Sequence, residues 1–286
     1  MLQPYLHQYA ESVDVGNYQV QLQKNLQYEA NKAYEDQGYF GAPWFMDVWR
    51  QCFRMKLKSS GIRISSQTRV LDACCGAGYL GEFLKEEYLA QVVYCDISQA
   101  QLRELTGRLN RKLSAPAAVS AADLLRMPFQ KQSFDLVVGN SFLHHVPDVP
   151  RALSELKELI RPGGYLLLLH EPSVTSAFWE SFPLSLLKNT TLVNGGFTDL
   201  WMFLARDLYE LAVSAGFTSV KILGTGILSS ILLNWYLILA MKLNWQSKRG
   251  VFPAYRLREW LNQVDSSVQN SWKLRASPSL MLIAKS

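Results

Sequence analysis

Compact apolar runs alternate along this chain with polar or amphipathic stretches of helix length. Val70-Leu71 leads into a small-residue turn, and Val92-Val93-Tyr94-Cys95 follows about one helix later. Ser219 to Leu223 and Pro278 to Lys285, the latter built on Leu280-Met281-Leu282-Ile283, read as further strands. Arg206 to Gly216 reads as a helix with glycine at its end. The alternation predicts an α/β fold with a doubly wound, mostly parallel sheet and helices on both faces. Ligands then fall at the carboxyl ends of the strands. Residues 1–60, rich in Gln, Tyr and Trp, precede the first strand and read as an N-terminal helical cap. Within the cap, Gly38-Tyr39-Phe40-Gly41-Ala42-Pro43-Trp44-Phe45 is an aromatic cluster flanked by breakers. It is either a lid over the site or helix-packing aromatics at a turn.

The first strand runs into Asp72-Ala73-Cys74-Cys75-Gly76-Ala77-Gly78-Tyr79-Leu80-Gly81, and Asp96 closes the next apolar run. Small residues let the backbone approach a ligand at a helix N-terminus, and an acid about 20 residues on can take ribose hydroxyls. Gly76, Gly78 and Gly81 satisfy G-x-G-x-x-G, so a nicotinamide or flavin cofactor fits the spacing. Asp72 points elsewhere: a carboxylate there would crowd a pyrophosphate but suits a ligand that carries an ammonium group. S-adenosylmethionine carries one, together with a sulfonium.

Downstream segments separate the two classes. Ala122-Asp123-Leu124-Leu125-Arg126-Met127-Pro128-Phe129 and Ser133-Phe134-Asp135-Leu136-Val137-Val138-Gly139-Asn140-Ser141-Phe142-Leu143-His144-His145-Val146 resemble the adenine-binding and fourth-strand segments of the class I S-adenosylmethionine-dependent methyltransferases. Leu159-Ile160-Arg161-Pro162-Gly163-Gly164-Tyr165-Leu166-Leu167-Leu168-Leu169 resembles the turn and fifth strand that follow. The resemblance is tight from Thr68 to Pro172 and lies near the quinone-biosynthesis C-methyltransferases. It implies a Rossmann-like, seven-stranded sheet over residues 61–286, with Ser219 to Leu223 and Pro278 to Lys285 as its last two strands. One departure is Cys74, where the family usually carries glycine, since cysteine does not easily take a positive φ.

The resemblance also implies roles. Asp72, Gly76 and Gly78 would hold the methionine end of the cofactor and Asp96 the ribose hydroxyls. Asp123 would accept from the adenine amine, Leu124 would offer a backbone N–H, Ile97 would pack on the purine, and Asn140 would lie at the fourth-strand end. An isolated Asp is ordinarily a solvated loop carboxylate or helix cap. Four matches in register favour the ligand role for Asp72 and Asp96.

Two insertions give the chain its individuality. Residues 173–203 carry Phe178, Trp179, Phe182, Trp201 and Phe203, a set suited to walling an apolar pocket. Residues 227–276 separate the last two strands where a hairpin turn would suffice, so a long helical insertion is expected there. The stretch from Ile222 to Met241 approaches the length of a membrane span, but strands pairing in one sheet would put both its ends on the same side of a bilayer. Lys242, Lys248, Arg249, Arg256, Arg258, Lys273 and Arg275 stand there against Glu259 and Asp265, with Trp235, Trp245, Trp260 and Trp272 among them. Three readings stay open: a substrate lid, a peripheral contact with an anionic membrane, or a homodimer interface. Nucleic acid is not the expected partner, because the fourth-strand end lacks the two prolines and aromatic typical of enzymes that methylate exocyclic base amines.

The remaining composition narrows the class. With 286 residues, 49% apolar and 12% aromatic, the chain can fill a sizeable core. Its four cysteines, Cys52, Cys74, Cys75 and Cys95, show no metal spacing, and the start lacks a basic then apolar leader, so a reduced, cytoplasmic setting is expected with no bound metal. Methyl transfer from a sulfonium can proceed by positioning alone. If the acceptor is a hydroxyl or acidic carbon a base helps, and His144, His145 and His170 are the candidates, with Glu171 able to orient His170 or act itself. The expected activity is transfer of a methyl group to oxygen or carbon of a small, largely apolar metabolite: a quinone precursor, isoprenoid, polyketide or lipid. The alternatives are a non-methyl reaction such as cyclisation, or a silent cofactor-binding subunit that recruits a partner or membrane.

Overall fold

The computed structural model describes residues 43–112, 116–146, 148–173, 203–225, 260–261, 264–265, 270, 273–274, 277 and 279–286. Helix α1 (Pro43–Ser60) precedes strand β1 (Arg69–Ala73), α2 (Tyr79–Tyr88), β2 (Gln91–Asp96), α3 (Gln99–Asn110), β3 (Ala118–Ala121) and β4 (Phe134–Asn140). A single 3-10 turn (Leu143–His145) leads to α4 (Val149–Leu159), β5 (Ile160–Pro172), α5 (Ala205–Ser214), β6 (Thr218–Gly224) and β7 (Ser279–Lys285). The seven strands lie in the order β3-β2-β1-β4-β5-β7-β6, and β7 alone runs antiparallel to its neighbours.

Strand periodicity explains why two layers of helix form. Successive side chains point to opposite faces, so a wholly apolar strand must be covered twice. Leu71, Val137, Leu166, Leu168, Leu280 and Leu282 enter one core with Val149, Leu153 and Leu156 of α4 and Leu208 and Ala212 of α5. Val70, Leu136, Val138, Leu167, Leu169, Met281 and Ile283 enter the other with Phe53 and Leu57 of α1, Leu80, Phe83 and Leu84 of α2, and Leu102, Leu105 and Leu109 of α3. Local chemistry sets where two of the helices start. The Ser98 hydroxyl accepts from Gln101 N at 3.3 Å to cap α3, and Asp148 accepts from Arg151 N at 3.1 Å to cap α4, whose second residue is Pro150.

The order reverses at β1, whose neighbours are β2 and β4, and this switch point opens a crevice at the carboxyl ends. Both insertions are rooted at that same edge. Ser173 bridges Phe203, and Phe203 N donates to Pro172 O at 2.9 Å, so the ends of the first insertion leave side by side from β5. Because β6 runs parallel to β5, its exit lies at the carboxyl edge too. There Thr225 N donates to Ser279 O at 3.0 Å, and the Ser277 hydroxyl, fully buried, donates to Thr225 O at 2.9 Å. Asn270 fills the next ladder position, taking Gly224 N and giving to Ile222 O, both at 3.2 Å.

The strands expected at 219–223 and 278–285 form as β6 and β7, and the expected last helix forms as α5. Of the N-terminal cap only α1 is described; the aromatic cluster lies outside the described residues apart from 43–45, which open that helix. The interiors of both insertions lie almost wholly outside them as well. No helix among the described residues is long and apolar enough to cross a membrane.

Gly81 shows how closely α2 approaches the sheet. A Cβ on it would lie 2.4 Å from Tyr94 Cε1 and 2.7 Å from Asp72 Oδ2, both fully buried neighbours. Gly81→Ala is therefore expected to destabilise the chain by about 1–3 kcal/mol although alanine favours helix. Urea unfolding of the two proteins measures this as a lower midpoint at unchanged slope.

Candidate active site

The loop after β1 doubles back over the strand end. Cys74 takes φ 50°, the left-handed region that glycine would fill at no cost, and Cys75 N then donates to Cys95 O at 2.9 Å, so the chain remains pinned to β2 through the turn. The family's glycine position thus keeps a glycine-like geometry under a cysteine. Gly76 follows at φ 51° with nothing within 4 Å of where a Cβ would be, and Gly78, at φ 74°, begins α2. Arg108 of α3 braces the loop from behind: it donates to Ala77 O, pairs with Glu82 at 3.0 Å and lies 4.9 Å over the Tyr79 ring. Lys112 joins the same Glu82.

Asp72 lies beneath this loop, 1% exposed, and its Oδ2 accepts from Gly81 N at 2.8 Å. It therefore satisfies one of the first-turn N–H groups of α2. Burial pushes its carboxyl from the ordinary 3.8 up to about 8, the Gly81 hydrogen bond opposing and the Asp96 charge adding. Asp96 closes β2 with both oxygens on backbone: Oδ2 accepts from Gly76 N and Oδ1 from Ser98 N, each at 2.8 Å. Half-buried Ile97 follows directly.

Ala122 N donates to Asp96 O at 3.1 Å and brings the exit of β3 alongside that of β2. Asp123 Oδ1 then accepts from Leu125 N at 2.9 Å, shaping a turn whose Leu124 is buried in the core. Asp72, Asp96 and Asp123 therefore lie at the exits of three adjacent strands, β1, β2 and β3. Cys74 lies among acids. Burial first, then Asp96, Cys95, Asp123 and Glu171, push its thiol well above the ordinary value. Cys75 is raised well above it too, and Cys95 goes to about 12, so these remain thiols.

Asn140 and the three histidines stand at the ends of β4 and β5, in two separate groups. His170, at φ 59° where the β5–β7 register slips, has Nδ1 2.7 Å from Asn140 Oδ1 and Nε2 3.4 Å from Cys52 Sγ. Trp49 meets its ring edge-on at 5.3 Å. His144 Nδ1 lies 2.9 Å from Glu171 Oε2, and the His145 ring is tilted at 47° to that of His144 with the ring centres 3.8 Å apart. Glu171 is fully buried and also accepts from Phe142 N and Leu143 N at 3.1 Å and from His144 N at 3.3 Å. The expectation that Glu171 orients its neighbour His170 therefore changes: the slipped residue separates their side chains, and the carboxylate is committed to the turn after β4.

Trp49, Cys52 and the backbone partners of Glu171 were not found from sequence. Cys52 is 118 residues from His170, and no short-range spacing signals that pairing. Among the described residues no group of three or more His, Cys, Asp or Glu is placed to hold a metal ion. A cleft of about 590 Å³ at the opposite edge is lined by strand starts such as Arg69, Gln91 and Phe134 and contains none of the candidate residues.

The switch-point crevice, glycine loop and row of acids define a nucleoside-cofactor α/β fold of the transferase type. Residues 71–168 match the family model described as "Methyltransferase domain". Over those residues the chain carries a methyltransferase domain, and the sheet around it has the fold of the class I S-adenosylmethionine-dependent methyltransferases. It is 32% identical over 97 residues to human "Arginine-hydroxylase NDUFAF5, mitochondrial", covering 34% of this chain and 27% of that protein. It is 27% identical over 190 residues to the demethylmenaquinone methyltransferase of Lactobacillus johnsonii, covering 61% and 75%. The chain thus spans about a quarter of the length of the first of these relatives. Its fold is similar to that of Haemonchus contortus phosphoethanolamine N-methyltransferase 2 (TM-score 0.54, 17% identity, 87% of this chain and 58% of that one). It is equally similar to the [4+2]-cyclase SpnF (TM-score 0.54, 18% identity, 82% and 80%).

Two outcomes check the assignments. Asp96→Ala removes a charged acceptor, and S-adenosylhomocysteine affinity measured by calorimetry is expected to fall about 10- to 100-fold, the scale of a charged hydrogen bond. For Asp72 the sign follows from its raised value. Unfolded, the carboxyl titrates near 3.8; folded, it keeps its proton until about pH 8, so its contribution to stability is lost as pH rises through that window. Ligand-free protein should lose about 1.4 kcal/mol per pH unit from this one group in mid-window, and Asp72→Asn should abolish that slope in urea unfolding at pH 5.5, 6.5 and 7.5.

Proposed function

We propose that this protein transfers the methyl group of S-adenosylmethionine to oxygen or carbon of a small, largely apolar metabolite of the quinone, isoprenoid, polyketide or lipid type. The observation that carries the cofactor side is the arrangement of Asp96, Gly76 and Asp72. Asp96, which would take the ribose hydroxyls, reaches across the β1 loop to Gly76 N at 2.8 Å, beside a loop whose Gly76 has open space where a Cβ would be. Asp72 stands where an ammonium group would find a carboxylate, and such a ligand favours its ionised form. Asp123 would receive the adenine amine. When bound, the cofactor supplies an electrophilic methyl on a sulfonium. The chain's own part is to orient the acceptor in line, exclude water and hold any proton the acceptor releases.

The acceptor class is supported by the extent of similarity to the L. johnsonii enzyme, which covers three-quarters of that protein. The aromatic insertion rooted at Ser173 and Phe203 on the site edge fits the same class. The tryptophan-rich, basic segment 227–276, rooted at Thr225 and Ser277, supports a peripheral membrane contact or a homodimer at that edge, where a lipophilic acceptor would enter. A second reading, a non-methyl reaction, is favoured by the names of two similar proteins, a hydroxylase and a cyclase.

The test is incubation of the purified chain with methyl-labelled S-adenosylmethionine and host extract, followed by partition of the label. Label in the organic fraction is the expected result. Label confined to the aqueous, protein or nucleic acid fraction overturns the acceptor class. A protein that binds S-adenosylhomocysteine and transfers no label overturns methyl transfer.

A further inference from the structure

Beneath the glycine loop a buried phenol stands uncommitted beside a buried acid. Tyr94 of β2 has no exposed surface, and its hydroxyl hydrogen-bonds to no group among the described residues. Such a hydroxyl is unfavourable as it stands and has a proton to donate. Tyr94 pairs with Asp72 in the β1–β2 ladder, and Val70, Val92 and Tyr94 all enter the core under α1, α2 and α3, so Asp72 falls on that same face. Helix α2 presses the two together. The place a Cβ would take on Gly81 lies 2.4 Å from Tyr94 Cε1 and 2.7 Å from Asp72 Oδ2. Burial first, then the charges of Asp72, Glu82 and Cys75, hold the Tyr94 hydroxyl well above its ordinary range, with Arg108 opposing.

An ionised Asp72 needs donors, and Gly81 N is one. The other titratable and charged groups acting on the pair are committed elsewhere. Cys75 Sγ donates to Gly76 O and Cys95 Sγ to Met127 Sδ, both at 3.7 Å. Arg108 gives to Glu82 and to Ala77 O, and Lys112 gives to Glu82 and Glu86. Asp96 is itself an acceptor on two backbone N–H groups. On the other side of β1, the ladder partner of Asp72 is the apolar Val138 of β4. The Tyr94 hydroxyl is the donor that remains among these groups.

Resting on the cofactor reading, we propose that Tyr94 is a positioning residue for Asp72: when a ligand's ammonium group binds at the loop, the carboxyl releases its proton to solvent and the Tyr94 O–H donates to the carboxylate. The carboxyl O–H bond breaks, its electron pair stays on Asp72, and Tyr94 keeps its own proton. The anion is then held from two sides, by Gly81 N of α2 and by the phenol of β2. Tyr94 touches no ligand in this role; it sets how readily the acid beside it ionises.

Tyr94→Phe removes only the hydroxyl and tests this on the full chain. In protein labelled at the aspartate carboxyl carbons, with the Asp72 signal assigned by Asp72→Asn, the midpoint of Asp72 in ligand-free Tyr94→Phe is expected about one pH unit above that of the wild type, the scale of a hydrogen bond to a charged group. An unmoved midpoint overturns the proposal. Urea unfolding reads the same shift independently. A folded-state midpoint raised further lets stability go on falling to higher pH, so Tyr94→Phe should at least match the wild type at pH 5.5 and fall below it by pH 9. An equal deficit at both pH values is what a packing role alone would give, and it overturns the proposal. S-adenosylhomocysteine, which keeps the ammonium group, should bind Tyr94→Phe about 10-fold more weakly at pH 6.5, with the gap closing above both midpoints. A gap that stays constant with pH counts against Tyr94 in the same way. If Tyr94→Phe does not fold, the wild-type Tyr94 ring-carbon signal decides: it should move with the Asp72 midpoint, and a signal that stays still through it overturns the proposal. Wild-type protein that binds no S-adenosylhomocysteine overturns the cofactor reading, while the ligand-free titration judges Tyr94 separately.

Discussion

Strands of a parallel sheet must shed their ladder partners where they end, and in this protein carboxylates take over the backbone N–H groups released there. Asp72 receives Gly81 N beyond β1, Asp96 receives Gly76 N and Ser98 N beyond β2, Asp123 receives Leu125 N beyond β3, and Glu171 at the end of β5 receives three N–H groups of the turn beyond β4. Where the acid is ionised the bond is charge-assisted and so among the stronger kinds a loop can make; Asp72, pushed toward its neutral form, makes an ordinary one. The N–H groups could not otherwise be buried without cost. The whole carboxyl edge takes its shape from these acids.

That device concentrates negative charge, with consequences for the chemistry. Asp72 is pushed toward its neutral form by burial, with Asp96 adding to the shift, and Cys74 is kept as a thiol by burial and the surrounding acids. An edge built this way is primed for a cationic ligand, because one positive group relieves several unfavourable terms together. Holding a loop and offering an acid to a ligand then place the same demand on the residue, a carboxylate fixed at a strand end. An Asp that holds two backbone N–H groups, as Asp96 does, is already fixed in position.

The apolar periodicity made the sheet legible before the structure, because strands covered on both faces can scarcely be written otherwise than as Val and Leu runs. Asp72 and Asp96 were legible for a related reason: each ends such a run, and strand ends in a doubly wound sheet face the crevice. The partner of Glu171 was not. Residue 170 adopts a left-handed φ in mid-strand, and one slipped residue reverses which face every later side chain meets. No residue type announces that slip; histidine is a poor substitute for the glycine that would have advertised it. The Cys52 contact was hidden for a simpler reason, since it joins elements on either side of four strands.

The placement of the insertions follows from the same edge. A parallel sheet offers long connections at both ends, yet the segments beyond Ser173 and Thr225 both depart from the carboxyl side. Both of their roots are tied by backbone hydrogen bonds, Phe203 to Pro172 and Thr225 to Ser279. With the roots tied in this way, connections beyond them can vary in length at small entropic cost while the strand ends keep their partners. A sheet whose strand ends are held by backbone and carboxylate can thus stay constant while the long connections that leave its carboxyl edge vary.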